Sequence, residues 1–348
     1  MFVCVWESII LAIKFCKMRK YLTAKLLKVT EPNLLPKKAA IAPRLFISLI
    51  AFIAIYSAPI FNPPHPLFRS LFLKDNLAVV NNALNNVELI KLPTPPFERD
   101  SPGEVNVRYS PVNLNVVSVE GNNITDDLAW FANNNLSLPT YQVPNPNRNI
   151  AGNLPDYIPQ TFNDNVLVKA IRYPTKEYLI YGNNYGDGKY LFIYDLKKRQ
   201  FTAGYDFGNY LLPPDYPVSD GDFIDQSLTW IVPEDNILYV SHRHRTYAES
   251  SQGMNGYLTA IDLNTNNILW RSKPLVCNAE NFVIIDRVII CGYGFTAEPD
   301  YLYLIDKQNG EILQQINVKT APDYIIPKDN KLFVRTYDTN YVFEIQQK

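Results

Sequence analysis

Tyr257–Trp270 reads YLTAIDLNTNNILW, and Tyr301–Leu313 reads YLYLIDKQNGEIL. Each is an alternating apolar run that ends on Asp, crosses a polar turn and resumes with a second apolar run. Asn-Gly between two such runs, as at Asn309-Gly310, is a strong hairpin signal; Asn266-Asn267 holds the same place in the other copy. The unit recurs at Tyr190–Leu196 (YLFIYDL) and Tyr341–Ile345 (YVFEI), so the four copies start 67, 44 and 40 residues apart. A second apolar strand precedes each copy, at Tyr178–Tyr181, Ile237–Val240, Val288–Cys291 and Leu332–Arg335. Two of these follow near-identical turns, Ile231–Asn236 (IVPEDN) and Ile325–Asn330 (IIPKDN). A period of about 40–45 residues with four short strands is that of a propeller blade. A single blade has two sheet faces to cover and must stack on neighbours around an axis. A β-sandwich with accidental similarity is the alternative. The reading is an all-β protein, a β-propeller with four recognisable blades in 165–348 and room for more in 62–164. The last unit stops after its third strand, so an N-terminal segment is expected to supply the outer strand and lock the ring.

The two quoted segments resemble the quinoprotein-like (PQQ-type) repeat, whose "YALD-x-x-TG-x-x-LW" unit forms the outer half of a blade. The resemblance covers roughly 165–348. Only Trp270 matches the family's tryptophan, with Leu313 in its place one repeat later. It implies a propeller, and invites a quinone- or calcium-dependent oxidoreductase as the alternative function. Enzymes of that type carry the quinone and a calcium ion in the axial channel of a much longer eight-bladed chain. This sequence has no adjacent cysteine pair, is shorter than such a ring and lacks most of the docking tryptophans. No cofactor and no catalytic residue are assigned.

Positions 1–44 hold nine basic residues against Glu7 and Glu31, which leaves 24 basic against 32 acidic in the rest. An acidic body excludes nucleic acid as its partner, since phosphate binding needs the opposite sign. Leu45–Phe61 (LFISLIAFIAIYSAPIF) is apolar, and no Asp, Glu, Lys or Arg lies between Arg44 and Arg69. Seventeen or more such residues suffice to span a bilayer. The basic residues on its N-terminal side keep that side cytoplasmic. The expected organisation is a basic cytoplasmic tail (1–43), a single-pass anchor (44–61), a Pro-rich spacer (62–74) and a periplasmic or extracellular propeller domain (75–348). A cleaved signal peptide is the rival reading, though Tyr56 stands where a small residue is wanted. Met18 is an alternative start. Pro and Asn in 92–111 and 139–159 predict irregular connections, with one strand at Leu114–Val119 and a short helix at Asp126–Asn134.

Chemistry-bearing motifs are few. Asn183–Gly188 (NNYGDG) superficially resembles a calcium loop, but Tyr185 sits where an oxygen ligand is required, so a tight strand connection is read there. His242 and His244 share one strand face without a third ligand nearby, and solvated edge or channel polarity is expected of them; no metal site is assigned. Loop lengths say more. The first repeat interval is long by more than 20 residues, placing an insertion at about Phe207–Asp225, and a second excess falls at Arg245–Gly256. In a propeller both emerge on one face, and long loops on a rigid scaffold carry function. The candidate binding residues are Tyr210, Asp215, Tyr216, Asp220, Asp222 and Asp225 in the first loop, with Tyr247 and Glu249 in the second. The expected function is a non-catalytic binding or scaffolding module at a membrane, taking a protein or glycan ligand. Cys277 and Cys291 both fall in the exported body, at one end of the hairpin Phe282–Cys291, and a disulfide between them is expected.

Overall fold

The computed structural model describes residues 84–94, 101–184, 187–208, 226–244, 253–295 and 298–348. The anchor expected at 44–61 and the basic tail lie outside the described residues. Among the described residues no helix is long and apolar enough to cross a membrane.

Four antiparallel meanders follow one another. Blade 1 is β4 (Asn165–Arg172), β5 (Lys176–Asn184), β6 (Asp187–Asp195) and β7 (Gln200–Asp206), flanked by β3 (Thr161–Phe162) and β1 (Leu89–Lys91). Blade 2 is β8 (Ser227–Glu234), β9 (Ile237–Arg243), β10 (Tyr257–Asp262) and β11 (Asn267–Arg271). Blade 3 is β12 (Val283–Ile285), β13 (Val288–Tyr293), β14 (Tyr301–Asp306) and β15 (Ile312–Asn317). Blade 4 takes β16 (Pro322–Lys328), β17 (Lys331–Thr336) and β18 (Thr339–Gln347) from the C-terminus and its outer strand from β2 (Val112–Gly121). The expected N-terminal outer strand is therefore present, running antiparallel to β18 from Val112↔Gln347 to Gly121↔Thr339. The fold is of the β-propeller type.

The repeat has a local cause. Asp195, Asp262 and Asp306 each end the third strand and accept a hydrogen bond from the backbone of Lys198, Asn264 and Gln308, at 2.8, 2.8 and 2.9 Å. This Asx-type turn replaces a ladder pair and reverses the chain. The turn closes through a left-handed residue: Arg199, Asn266 or Gly310. One extra residue then bulges from each outer strand at the same level, Thr202, Leu269, Leu313 and Val117. The first hairpin of blades 2, 3 and 4 turns through Asp235, Asp286 and Asp329, all at positive φ. Short polar side chains tolerate that conformation best.

The room left for further blades in 62–164 is not used for one in 84–94 and 101–164. These residues form a belt and a plug. β1 pairs parallel to β7 of blade 1, and Pro93 O accepts from Arg271 of blade 2 at 3.0 Å. Val105 N and Arg108 N donate to Gln315 Oε1 and Leu313 O of blade 3, and β2 completes blade 4. After the belt, helix α1 (Asp127–Asn133), the short helix expected here, packs Trp130 and Phe131 on Tyr324 of β16. Residues 139–141 then hydrogen-bond to β4 through Arg172 N→Pro139 O and Tyr141 N→Ala170 O. The segment 122–160 thus fills the space between blade 4 and blade 1. Glu177, fully buried, holds it there by accepting from Tyr141 Oη (2.6 Å) and Tyr157 Oη (2.9 Å) on one oxygen.

His242, in β9, and His244, just past its end, are not at a solvated edge: both are buried. Phe207 packs on the His242 ring, and Tyr257 stacks on it at 5.6 Å. Burial keeps both imidazoles neutral, holding His242 well below the usual range and His244 down to about 4.

Candidate functional site

Counting back five residues from the turn aspartates Asp235, Asp286 and Asp329 gives Trp230, Asn281 and Tyr324, each preceded by Thr229, Glu280 or Asp323. In β8 and β16 those preceding residues are bulged, since pairing skips Thr229 and Asp323; in β4 it skips Val168, which places Lys169 beside Trp230 and Tyr324. A bulge re-aims side chains. Here Lys169, Trp230 and Tyr324, each directly after the bulged residue of β4, β8 or β16, line a common cleft of about 310 Å³ with Glu280, which precedes β12 of blade 3, and with Tyr141, Gln142, Asn145 and Arg148 of the plug.

Charge in the cleft is shared between blades. Glu280 Oε2 meets Lys169 Nζ at 3.0 Å and Oε1 meets Arg243 Nη2 at 2.8 Å. Lys169 also donates to Thr229 O at 2.7 Å and lies over the Trp230 ring. Arg243 donates to Asn278 O at 2.5 Å. Asp323, beside this triad, is pushed up to about 6 by burial and then by the negative charges of Glu280 and Asp127, with Arg243 and Arg335 opposing. Backbone bonds knit the same level together: Glu280 N donates to Asp323 O at 2.8 Å, and Asn281 exchanges two bonds with Ile325. Tyr173 Oη donates to Ile231 O, the counterpart of Ile325 in blade 2.

All eight binding residues read from the loops, Tyr210, Asp215, Tyr216, Asp220, Asp222, Asp225, Tyr247 and Glu249, lie outside the described residues. The cleft residues were missed in the sequence because they come from three inner strands, the approach to β12 and the plug, all far apart in the chain. The paired IVPEDN and IIPKDN turns held the signal, since they fix the register from which Trp230 and Tyr324 follow. In the Asn183–Gly188 segment, Asn184 pairs with Asp187 across a tight β5–β6 connection. Among the described residues no group of three metal-ligating side chains forms.

Cys277 and Cys291 are free thiols in this structure, both fully buried. Cys291 Sγ donates to Val276 O at 3.3 Å, and burial, then the neighbouring Cys277, push its thiol well up. We propose that the bridge forms under oxidising conditions by thiol–disulfide exchange, in which the two thiols reduce a disulfide oxidant, their sulfurs bond to each other and their two protons pass to the oxidant's two new thiols. Mass spectrometry of chain alkylated in denaturant without reductant should find both cysteines unmodified and linked; full alkylation of both would end the idea. In the chain-entropy description a 15-residue loop is worth ~3 kcal/mol.

No family profile matches the chain, and no curated protein sequence matches it. Solved structures do align with parts of it. BamB from Moraxella catarrhalis is 12% identical, over 49% of this chain and 56% of that one, with a TM-score of 0.29. The computationally designed Ika4 protein is 11% identical over 51% of this chain and 91% of its own, with a TM-score of 0.33. Saccharomyces cerevisiae Sqt1 is 10% identical over 50% and 42%, with a TM-score of 0.35. The chain thus spans little more than half the length of the BamB structure. Similarity at this level transfers no function, and the blade assignment stands on the strand pairing above.

Proposed function

We propose that this chain is a non-catalytic binding or scaffolding propeller, held at a membrane by its segment 44–61, that recognises a protein or glycan outside the cytoplasm. The axial cleft carries this reading. Both oxygens of Glu280 are committed to Lys169 and Arg243, whereas a general acid or base must be free to meet a substrate proton. What the cleft leaves open are amide and cationic donors on a rigid wall, a recognition surface. The strand ends next to both candidate loops, at Gly208, Gln226, His244 and Gly253, fall on the side where the inner strands begin. This supports a reading in which cleft and loops share one binding face. Tyrosines in the loops supply rigid contact area, and their aspartates favour a basic or cation-bridged partner.

Affinity capture of the full chain from its native membrane, after brief cross-linking, tests this. Wild type should retain a partner. A variant with Phe207–Asp225 and Arg245–Gly256 shortened to the length of the later repeats should keep its strand-type circular dichroism and lose that partner. Unchanged capture would move the site elsewhere.

A further inference from the structure

We propose that the axial cleft receives the carboxylate side chain of an Asp or Glu presented by a partner protein, held by Lys169 with Arg148 and the amides of Gln142 and Asn145. The inference rests on the binding reading above and names the chemistry that this part of the site selects.

Three observations lead to it. The first is donor supply. The ammonium of Lys169 has three N–H groups, two of which go to Thr229 O and Glu280; the third is left for a ligand. Asn145 uses its carbonyl oxygen on Asn147 N, leaving its NH₂ group as a donor. Glu280 cannot attract a ligand cation, because both its oxygens already hold cations. An acceptor with negative charge is the complement of such a wall.

The second is the state of the aromatic rings. A sugar would use an open ring face, yet each ring on this wall already has a companion. Lys169 lies over Trp230 and Arg172 over Tyr141, while Trp130 stacks on Tyr324 and Phe131 meets it edge-on. This favours an acidic side chain over a glycan. The third is size. About 310 Å³ is at the lower end of ligand cavities and suits one side chain rather than an oligomer.

Protonation adds a direction. Asp323 lies near Glu280, Asp127, Arg243 and Arg335; burial first, and then the two carboxylates, push it up to about 6 against the two arginines. Above that pH it opposes an incoming carboxylate. Below it the opposition is removed, while an exposed Glu, with a pKa of about 4.3, stays ionised. Binding should therefore strengthen from pH 7.5 to pH 5.5.

The probe is the peptide Ac-Gly-Gly-Glu-Gly-Gly-NH₂ against its Gln counterpart, titrated into full chain containing 5-fluorotryptophan. The Trp230 resonance is assigned by Trp230→Phe, and Trp130 and Trp270 report that the fold is intact. The Glu peptide should shift the Trp230 signal saturably and the Gln peptide should not. Loss of one charge-assisted bond in Lys169→Gln should weaken binding about tenfold. Lys169→Arg should retain it, and Glu280→Gln, which frees both cations, should strengthen it. Equal response to the two peptides, no response of Trp230, or unchanged affinity in a folded Lys169→Gln chain would overturn the inference. If partner capture through the loops survives in that same variant, the binding reading stands and only the acidic-anchor assignment is lost.

Discussion

Arg335→Ala is expected to lower the unfolding free energy by about 3 kcal/mol, the low end of what removing one partner of a buried ion pair causes. Arg335 is only 2% exposed, yet it makes four contacts. Its Nε donates to Asp127 Oδ1 at 2.5 Å, Nη2 to Asn123 O at 2.7 Å and Nη1 to Asn340 Oδ1 at 3.2 Å, while its guanidinium lies over the Trp130 ring. These ties join β17 to the end of the belt and to the start of the plug, so their loss loosens the junction of blade 4 with blade 1. Asp127 is 43% exposed, and water can replace its share, so Asp127→Asn should change stability by under about 1 kcal/mol. Lys at 335 cannot serve three acceptors in a planar fork and should fall between the two. Urea unfolding of the three variants decides it; an Arg335→Ala chain as stable as Asp127→Asn would show that the arginine is not the tie.

Gly310→Ala should cost about 2–3 kcal/mol, combining left-handed backbone strain in an L-residue with a ring displaced from its seat. Gly310 has φ of +75°, and a Cβ there would stand 2.5 Å from Cε3 of Trp270. That ring belongs to blade 2 and rests on the turn of blade 3, with its Nε1 donating to Lys307 O at 3.1 Å. Tyr239 Oη donates to the same carbonyl, and Lys307 Nζ pairs with Glu234. One turn is therefore the socket for a whole blade interface. Gly103 separates the two contributions, because it too has positive φ (+63°) but open space around its Cβ position. Gly103→Ala should show only the backbone share, about 1–2 kcal/mol. Thermal unfolding of both variants suffices; equal losses would mean that the Trp270 contact is immaterial.

How much of this was legible in the sequence follows from the range of the interactions. The blade turns were readable because Asp262 and Asp306 organise them within three residues, a span that a repeat displays openly. The missing outer strand was readable by count, since a blade of three strands leaves β18 with an open edge. The path of the belt was not. Arg108 meets Glu311 and Leu313 of blade 3 across some two hundred residues, and such a pairing leaves no local pattern in either segment. The histidines misled for a related reason. Alternation says nothing of what covers a side chain, and it is the distant neighbours Phe207 and Tyr257 that keep His242 dry, with Met254 accepting from His244.

The belt also sets an order of events in the making of the protein. β2 leaves the ribosome more than two hundred residues before its partner β18, which runs to Gln347. At roughly 5–20 residues per second, the interval between Val112 and Gln347 is on the order of 10–50 s. Throughout that time a ten-residue strand carrying Val116, Val117 and Val119 has no native mate. Contacts this distant in sequence also slow folding once the chain is complete. The nascent chain should therefore need a holdase over residues 112–121 until β18 has been made. A C-terminal truncation of only ten residues, which removes all of β18, should leave β2 a permanent template for aggregation.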